Sequence, residues 1–281
     1  MSDYIRPDNL PEALQALSAK RLTIIAGGTD YYPARVDQPL DDDLLDITAI
    51  AGLRGIEERA DDFRIGALTR WSDIVGAALP PAFDGLKASA RVIGGIQIQN
   101  AATLIGNICN ASPAADGVPN LLALDARVEL ASARGERAVA LADFITGNRA
   151  TTRAPDEMVT AITVPKPAVG AESLFLKLGA RSYLVISIVM VALVIEPDGD
   201  RVASARIAVG ACAAVSRRLA ALEESLIGAQ LDGGLGDFVE PLQGLAPIDD
   251  IRGSAAYRHD AALTLVRRGL AQLGGRMGAG A

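Results

Sequence analysis

Apolar and polar positions change their period several times along the chain, and each change marks an element. Leu14 and Leu17 recur at helical spacing behind Asn9, a good capping side chain, and Pro11, suited to a first turn, which predicts a helix. "RLTIIAGGTD" (21–30) reads as a short strand running into a glycine turn. "DLLDITAI" (43–50) and "FRIGALT" (63–69) predict further strands. "WSDIVGAAL" (71–79) predicts a helix stopped by Pro80 and Pro81, and "FDGLKASARVI" (83–93) predicts another. "NLLALDARVELAS" (120–132) reads as a short helix or turn leading into an alternating strand. "EMVTAITVPKP" (157–167) alternates too, until its prolines end it. Small residues, Pro and Gly cluster in "PKPAVGAES" (165–173), which predicts a domain boundary there.

Beyond that boundary the pattern is strand, strand, strand, helix. "YLVISIVMVALVI" (183–195) is apolar almost throughout, but its 13 residues fall short of the roughly 20 that cross a bilayer. Its Val and Ile content predicts a buried strand. "LFLKLGA" (174–180) precedes it, and "RVASARIAVGA" (201–211) follows across the hairpin-type turn "PDGD" (197–200). Ser216 is expected to cap a helix over 217–231, whose Leu219, Leu222 and Leu226 share one face. A last helix near 255–273 carries Leu263, Val266, Leu270 and Leu273. Runs of strands and runs of helices, rather than regular alternation, predict an α+β fold.

Composition narrows the function classes. The 281 residues are 50% hydrophobic, enough for about two domains with real cores. A formal charge of −7 with no basic stripe argues against nucleic acid or an anionic membrane as partner. Two cysteines about a hundred residues apart build neither an iron–sulfur nor a zinc site, and fit a reducing compartment. The start of the chain lacks a signal-peptide pattern, so a soluble, cytoplasmic protein is expected. His259 is the only histidine, which excludes a His-based metal site or a Ser-His-Asp triad. Trp71 and Cys109 are read as buried core, and Arg217 and Arg218 as covering a helix face.

Two stretches resist a purely structural reading. In "IIAGGTD" (24–30) a strand delivers the chain to Gly27-Gly28, where the missing Cβ permits positive φ and close backbone approach. The amides of Ile24, Ile25, Ala26, Gly27, Gly28, Thr29 and Asp30 can then line one concavity, although a tight strand-to-strand turn explains the motif equally well. The dinucleotide fingerprint GxGxxG is absent. In "TLIGNICNASPAAD" (103–116), Thr103, Gly106 and Asn107 offer a hydroxyl, bare backbone and an amide at a Gly-Asn turn. Small residues follow, and then Asp116, an acceptor for a ligand N–H or hydroxyl. Two such loops suit a ligand with a central pyrophosphate and a polar group at each end, a dinucleotide such as FAD.

"AGGTD", "TLIGNICNASPAAD" and "FLKLGAR", in that order, resemble the FAD-binding medium subunit of the xanthine dehydrogenase/carbon monoxide dehydrogenase family, the molybdenum hydroxylases. "VGACAAVSRRLAALEESLIGAQ" (209–230) is similar to the family's C-terminal flavoprotein domain, so the resemblance covers nearly the whole chain. It implies a two-part FAD-binding domain of the PCMH type over 1–168 (subdomains about 1–52 and 53–168). A C-terminal domain over 169–281, with a three-stranded antiparallel sheet and helices, would follow. By the same resemblance Ile24 to Asp30 wrap the FAD pyrophosphate and Thr103 to Asn107 meet it from the other side. Asp116 contacts the flavin, Val159 touches the isoalloxazine ring, and Lys177 lies near it. On the residues alone, Lys177 and Arg181 could equally be the solvent face of a strand end. The family's usual T-[IL]-G-G-N has Ile105 at its first glycine here, its Arg-Asn pair reads Gln99-Asn100, and Ile93 stands where mammalian xanthine enzymes have phenylalanine.

The implied partners are a molybdopterin-binding large subunit and a small subunit with two [2Fe–2S] clusters, assembled as a dimer of heterotrimers. Electrons would pass from those clusters through FAD to NAD⁺, O₂ or a quinone. No metal ligand and no general acid or base is expected in this chain. The alternatives are a stand-alone PCMH-type flavin oxidoreductase and a non-catalytic assembly subunit that has lost FAD.

Overall fold

The computed structural model describes residues 2–37, 39 and 41–279. It begins with a small parallel sheet in the order β1-β3-β2: β1 (Tyr4–Ile5), β2 (Thr23–Ile25) and β3 (Leu44–Asp46). Helix α1 (Leu10–Ala19) links β1 to β2, capped by Asn9, whose side chain accepts from the Glu12 N–H. This first unit is therefore a βαβ element, which the expected absence of alternation did not anticipate. The glycine motif is not a strand-to-strand turn either. It opens into a turn and a short 3-10 segment, Pro33–Arg35, and the next strand starts only at Leu44.

A five-stranded antiparallel sheet follows, in the order β4-β5-β10-β6-β7. Its strands are β4 (Ile56–Glu58), β5 (Asp62–Gly66), β6 (Arg127–Ser132), β7 (Gly135–Ala140) and β10 (Met158–Pro165). Between β5 and β6 run α2 (Trp71–Gly76), α3 (Asp84–Val92), α4 (Ile96–Gln99), α5 (Leu104–Cys109) and α6 (Gly117–Ala123). The short α7 (Leu141–Phe144) and the hairpin β8 (Ile145–Gly147) and β9 (Ala150–Thr151) lead into β10.

The third sheet is antiparallel: β11 (Glu172–Leu178), β12 (Val189–Asp198), β13 (Arg201–Gly210) and β14 (Arg217–Arg218). It has four strands rather than the expected three. Arg217 and Arg218, expected on a helix, pair with Val209 and Ala208 as the edge strand β14. Helix α8 (Ala220–Ser225) is correspondingly shorter than 217–231 and is not capped by Ser216. Backbone pairing to β13 outweighs the helical leucine period there, and Leu219 and Leu226 are buried all the same. The strand expected over 183–195 begins only at Val189. The last helix, α9 (Ala255–Gly278), is capped by the Ser254 hydroxyl, which accepts from the Tyr257 N–H.

Strand β12 explains why "IVMVALVI" has no polar alternation. Val189, Val191, Leu193 and Ile195 point into a core completed by β13, α8 and α9. Met190, Ala192 and Val194 point the other way, into the core of the preceding sheet and helices. A strand buried on both faces must be apolar at every position. The C-terminal sheet thus lies between α9 on one face and α3 and α6 on the other.

Glu157 anchors the turn before β10. It accepts two bonds from Arg137, at 2.6 and 2.7 Å, and one from the Ala154 N–H. Those bonds hold its carboxyl below the usual glutamate range, Arg137 contributing most. A folded-state pKa below the unfolded one contributes stability above the unfolded pKa and loses it as pH falls. Glu157→Gln is expected to lower unfolding free energy by about 1 kcal/mol near neutral pH. The difference from wild type in urea titrations should close below about pH 4.

Candidate functional site

A cleft of about 830 Å³ opens between the first parallel sheet and the helices that precede β6. Strand β2 delivers one wall. Gly28 sits at φ +67°, and a Cβ there would come within 2.8 Å of the Tyr32 ring. A Cβ on Gly27 would stand 2.1 Å from the Ala101 carbonyl oxygen, so only glycine lets this loop abut the segment entering α5. No described residue accepts from the amide N–H groups of Ala26, Gly27, Gly28, Thr29 or Asp30. All five residues line the cleft, so five successive donors are left unpaired on its wall.

The opposite wall is not the Gly-Asn turn expected from the sequence. Leu104–Cys109 form the short helix α5, and the Thr103 hydroxyl is its cap, accepting from the Gly106 N–H at 2.9 Å. Small-residue and Thr-capped sequences fit a helix N-terminus as well as a loop, and here the cap decided. Asn107 faces the cleft with its Oδ1 buried and accepting from no described residue; the buried Trp71 Nε1 is likewise unmatched. Ile105 is only 4% exposed and belongs to the core, so its branched side chain forms part of the wall rather than filling the opening. Cys109, expected to be buried, is exposed on this wall.

At the far end stands a buried ion pair. Lys177, near the end of β11, donates to Asp116 Oδ2 at 2.6 Å, and its side chain is only 12% exposed. This is not the solvent face of a strand. Ser187 is fully buried and donates its hydroxyl to Asp116 Oδ1. Burial pushes the Asp116 carboxyl above the usual carboxylate range, while the Lys177 ammonium and the Ser187 hydroxyl pull it back. Val159 lines the same cleft as this pair, just before a bulge in β10 at Thr160. Bulges re-aim side chains locally.

All thirteen residues singled out in the sequence therefore line one cleft: Ile24, Ile25, Ala26, Gly27, Gly28, Thr29, Asp30, Thr103, Gly106, Asn107, Asp116, Val159 and Lys177. The sequence reading missed Ser187, whose one signal was a hydroxyl inside an apolar run. It also missed Arg149 and Arg153, which reach the cleft from the β8–β9 region and carried no local signal. Arg149 holds φ +58°, clamped by its amide to the Ala111 carbonyl and by its guanidinium to Asn110. Neither arginine has an ion-pair partner among the described residues, nor has Arg21 on the same cleft. Arg35, which also lines it, is paired with Asp42. In a chain of charge −7, this cleft gathers cations, and with its free amides it suits an anionic ligand.

Residues 1–167 match the model of the FAD binding domain in molybdopterin dehydrogenase, and residues 175–273 that of the CO dehydrogenase flavoprotein C-terminal domain. The chain belongs to this family. It is similar to the nicotine 6-hydroxylase medium subunit of Paenarthrobacter nicotinovorans (31% identity, covering 97% of each chain). It is also similar to the glyceraldehyde dehydrogenase medium chain of Sulfolobus acidocaldarius (33% identity, 94% of this chain and 95% of the other). Reconstituted CO dehydrogenase from Oligotropha carboxidovorans superposes with a TM-score of 0.90 at 28% identity, over 98% of each chain. The chain is thus an FAD-binding medium subunit of the molybdenum hydroxylase family, and FAD is the cofactor of its N-terminal domain. The residues present fit that group. A row of free amides suits a pyrophosphate, and an unmatched Asn107 oxygen suits a ligand donor.

The ion pair makes a clear prediction. Lys177→Met leaves Asp116 a buried carboxylate with no cation, so about 3 kcal/mol of stability is expected to go at neutral pH. The raised pKa means the folded variant binds a proton more readily than the unfolded chain. The deficit in urea unfolding should therefore shrink as pH falls toward about 5.

Proposed function

We propose that this chain is the electron-transfer subunit of a heterotrimeric molybdenum hydroxylase. Its FAD would take electrons from [2Fe–2S] clusters in a small partner subunit and deliver them to an external acceptor, while a molybdopterin-binding large subunit oxidises the substrate. A dimer of such heterotrimers in the cytoplasm is part of the same proposal. The division of labour along the chain is 1–168 for FAD, in subdomains 1–52 and 53–168, and 169–281 as the flavoprotein C-terminal domain.

One observation carries this reading: the five residues 26–30, whose amides are unpaired, and the first turn of α5 line one cation-lined cleft. Amides aimed into one concavity hold a pyrophosphate without spending side chains, and positive charge around them favours the dianionic group. Bound flavin supplies one- and two-electron redox chemistry. This chain's residues bind and orient it. Ile24 to Asp30, with Thr103, Gly106 and Asn107, would hold the phosphates and adjoining polar groups. Val159 would press on the ring, and the Asp116–Lys177 pair would present a fixed dipole beside it that needs no reorganisation when ring charge changes. Among the described residues no three His, Cys, Asp or Glu are grouped to hold a metal, and no helix is long and apolar enough to cross a membrane.

Titration of the purified chain with FAD tests the assignment. Flavin absorption that survives desalting is expected. Asn107→Leu should weaken FAD affinity about tenfold with unchanged far-ultraviolet circular dichroism. Wild-type affinity in that variant would remove the second wall from the site.

A further inference from the structure

Arg258 lies on the first turns of α9, is 2% exposed, and is the one arginine among the largest fully buried side chains of the described residues. Nothing in the cleft explains a buried guanidinium there. Its Nη1 donates to the carbonyl oxygens of Ile188, at 2.6 Å, and Ala211, at 3.3 Å, and its Nη2 to Asp250 Oδ1 at 2.7 Å. Burying a cation is costly unless it is paired and bonded, so these two backbone carbonyls are held firmly.

Both carbonyls belong to segments bonded to Asp116 or to the stretch just before it. Ile188 follows Ser187, whose hydroxyl donates to Asp116 Oδ1, and its own N–H donates to the carbonyl of Leu178, the residue after Lys177. Ala211, at φ +62°, donates its N–H to the Pro113 carbonyl at 3.0 Å, in the small-residue stretch three positions before Asp116. The fork of one guanidinium therefore fixes both chain segments that frame the carboxylate.

We propose that Arg258 is a positioning residue of the flavin site, holding Ser187 and the 113–116 segment so that the Asp116–Lys177 pair keeps one geometry beside the cofactor. The C-terminal domain on this view contributes to the cofactor's electrostatics, although no residue of α9 reaches the cleft. Rigid planar donation to two carbonyls and a carboxylate is a task for arginine rather than lysine. The significance for FAD rests on the function proposed above; the effect on Asp116 does not.

The experiment follows the Asp116 carboxyl by carbon NMR titration, with Asp116→Asn to identify its signal, in wild type, Ser187→Ala, Arg258→Met and the Arg258→Met/Ser187→Ala double variant. Loss of the Ser187 bond removes an interaction that favours the charged form. Each single substitution should therefore move the titration to higher pH, and the double variant should move it no further than one alone. FAD affinity should fall about tenfold in Arg258→Met and no more in the double variant. Asp250→Asn, which leaves the guanidinium in place but removes its counter-charge, should shift Asp116 in the same direction and serves if Arg258→Met does not fold. An unmoved Asp116 titration in a folded Arg258→Met or Asp250→Asn protein, or full additivity with Ser187→Ala, overturns the proposal. If Asp116 moves while wild type takes up no FAD, the positioning stands and the flavin assignment falls.

Discussion

The whole molecule depends on one strand being buried on both faces. Side chains of β12 alternate between two cores, Val189, Val191, Leu193 and Ile195 into one and Met190, Ala192 and Val194 into the other. A register slip of one residue would exchange the two sets, but both are apolar, so the hydrophobic pattern alone does not forbid it. What pins the register is the polar chemistry at the strand's entrance. Ser187 must meet Asp116 and the Ile188 carbonyl must meet Arg258, and neither partner tolerates being left unbonded in the interior.

That constraint carries into the cleft. Lys177 lies on β11, paired to β12 over its whole length, and Asp116 immediately precedes α6 in the preceding domain. Their ion pair joins the two domains where the cofactor's ring is proposed to lie. The pair is nearly neutral, and so the rest of the cleft's positive character comes from Arg21, Arg149 and Arg153 and from backbone dipoles. Holding an anion with amides and peripheral arginines lets a chain of net charge −7 bind a dianionic cofactor without a basic surface.

Much of the site was legible in the sequence because its requirements are local. Gly28 answers a positive φ and the nearby Tyr32 ring, a local demand, while Gly27 answers the close approach of the distant Ala101, which equally selects the one residue without a Cβ. Asn9 as the cap of α1 follows from the same kind of local rule, whereas α2, expected to run to Pro80, already ends at Gly76. The readings that failed were decided by distant partners. Leu219, Leu222 and Leu226 suggested a long helix, but Arg217 and Arg218 found β13 as a pairing edge. Cys109 looked like core, yet the cleft that exposes it is made by β2, about eighty residues earlier. Ser187, Arg149 and Arg258 gave almost no signal, because each acquires its role from a residue at least thirty-nine positions away.

By itself, then, the sequence determined the Gly27-Gly28 turn, the Asn9 cap, the apolar strand and the residues of the two walls, since these rest on backbone conformation and short-range periodicity. Only the tertiary structure decided that α5 presents its N-terminus instead of a loop, that Asp116 is paired rather than free, and that a buried arginine in the last helix holds the segments beside it. The physical reason is that burial and charge pairing belong to the space between elements. A carboxylate's surroundings fix its protonation and its partners, and here they come from α6, β11, the entrance to β12 and α9 together.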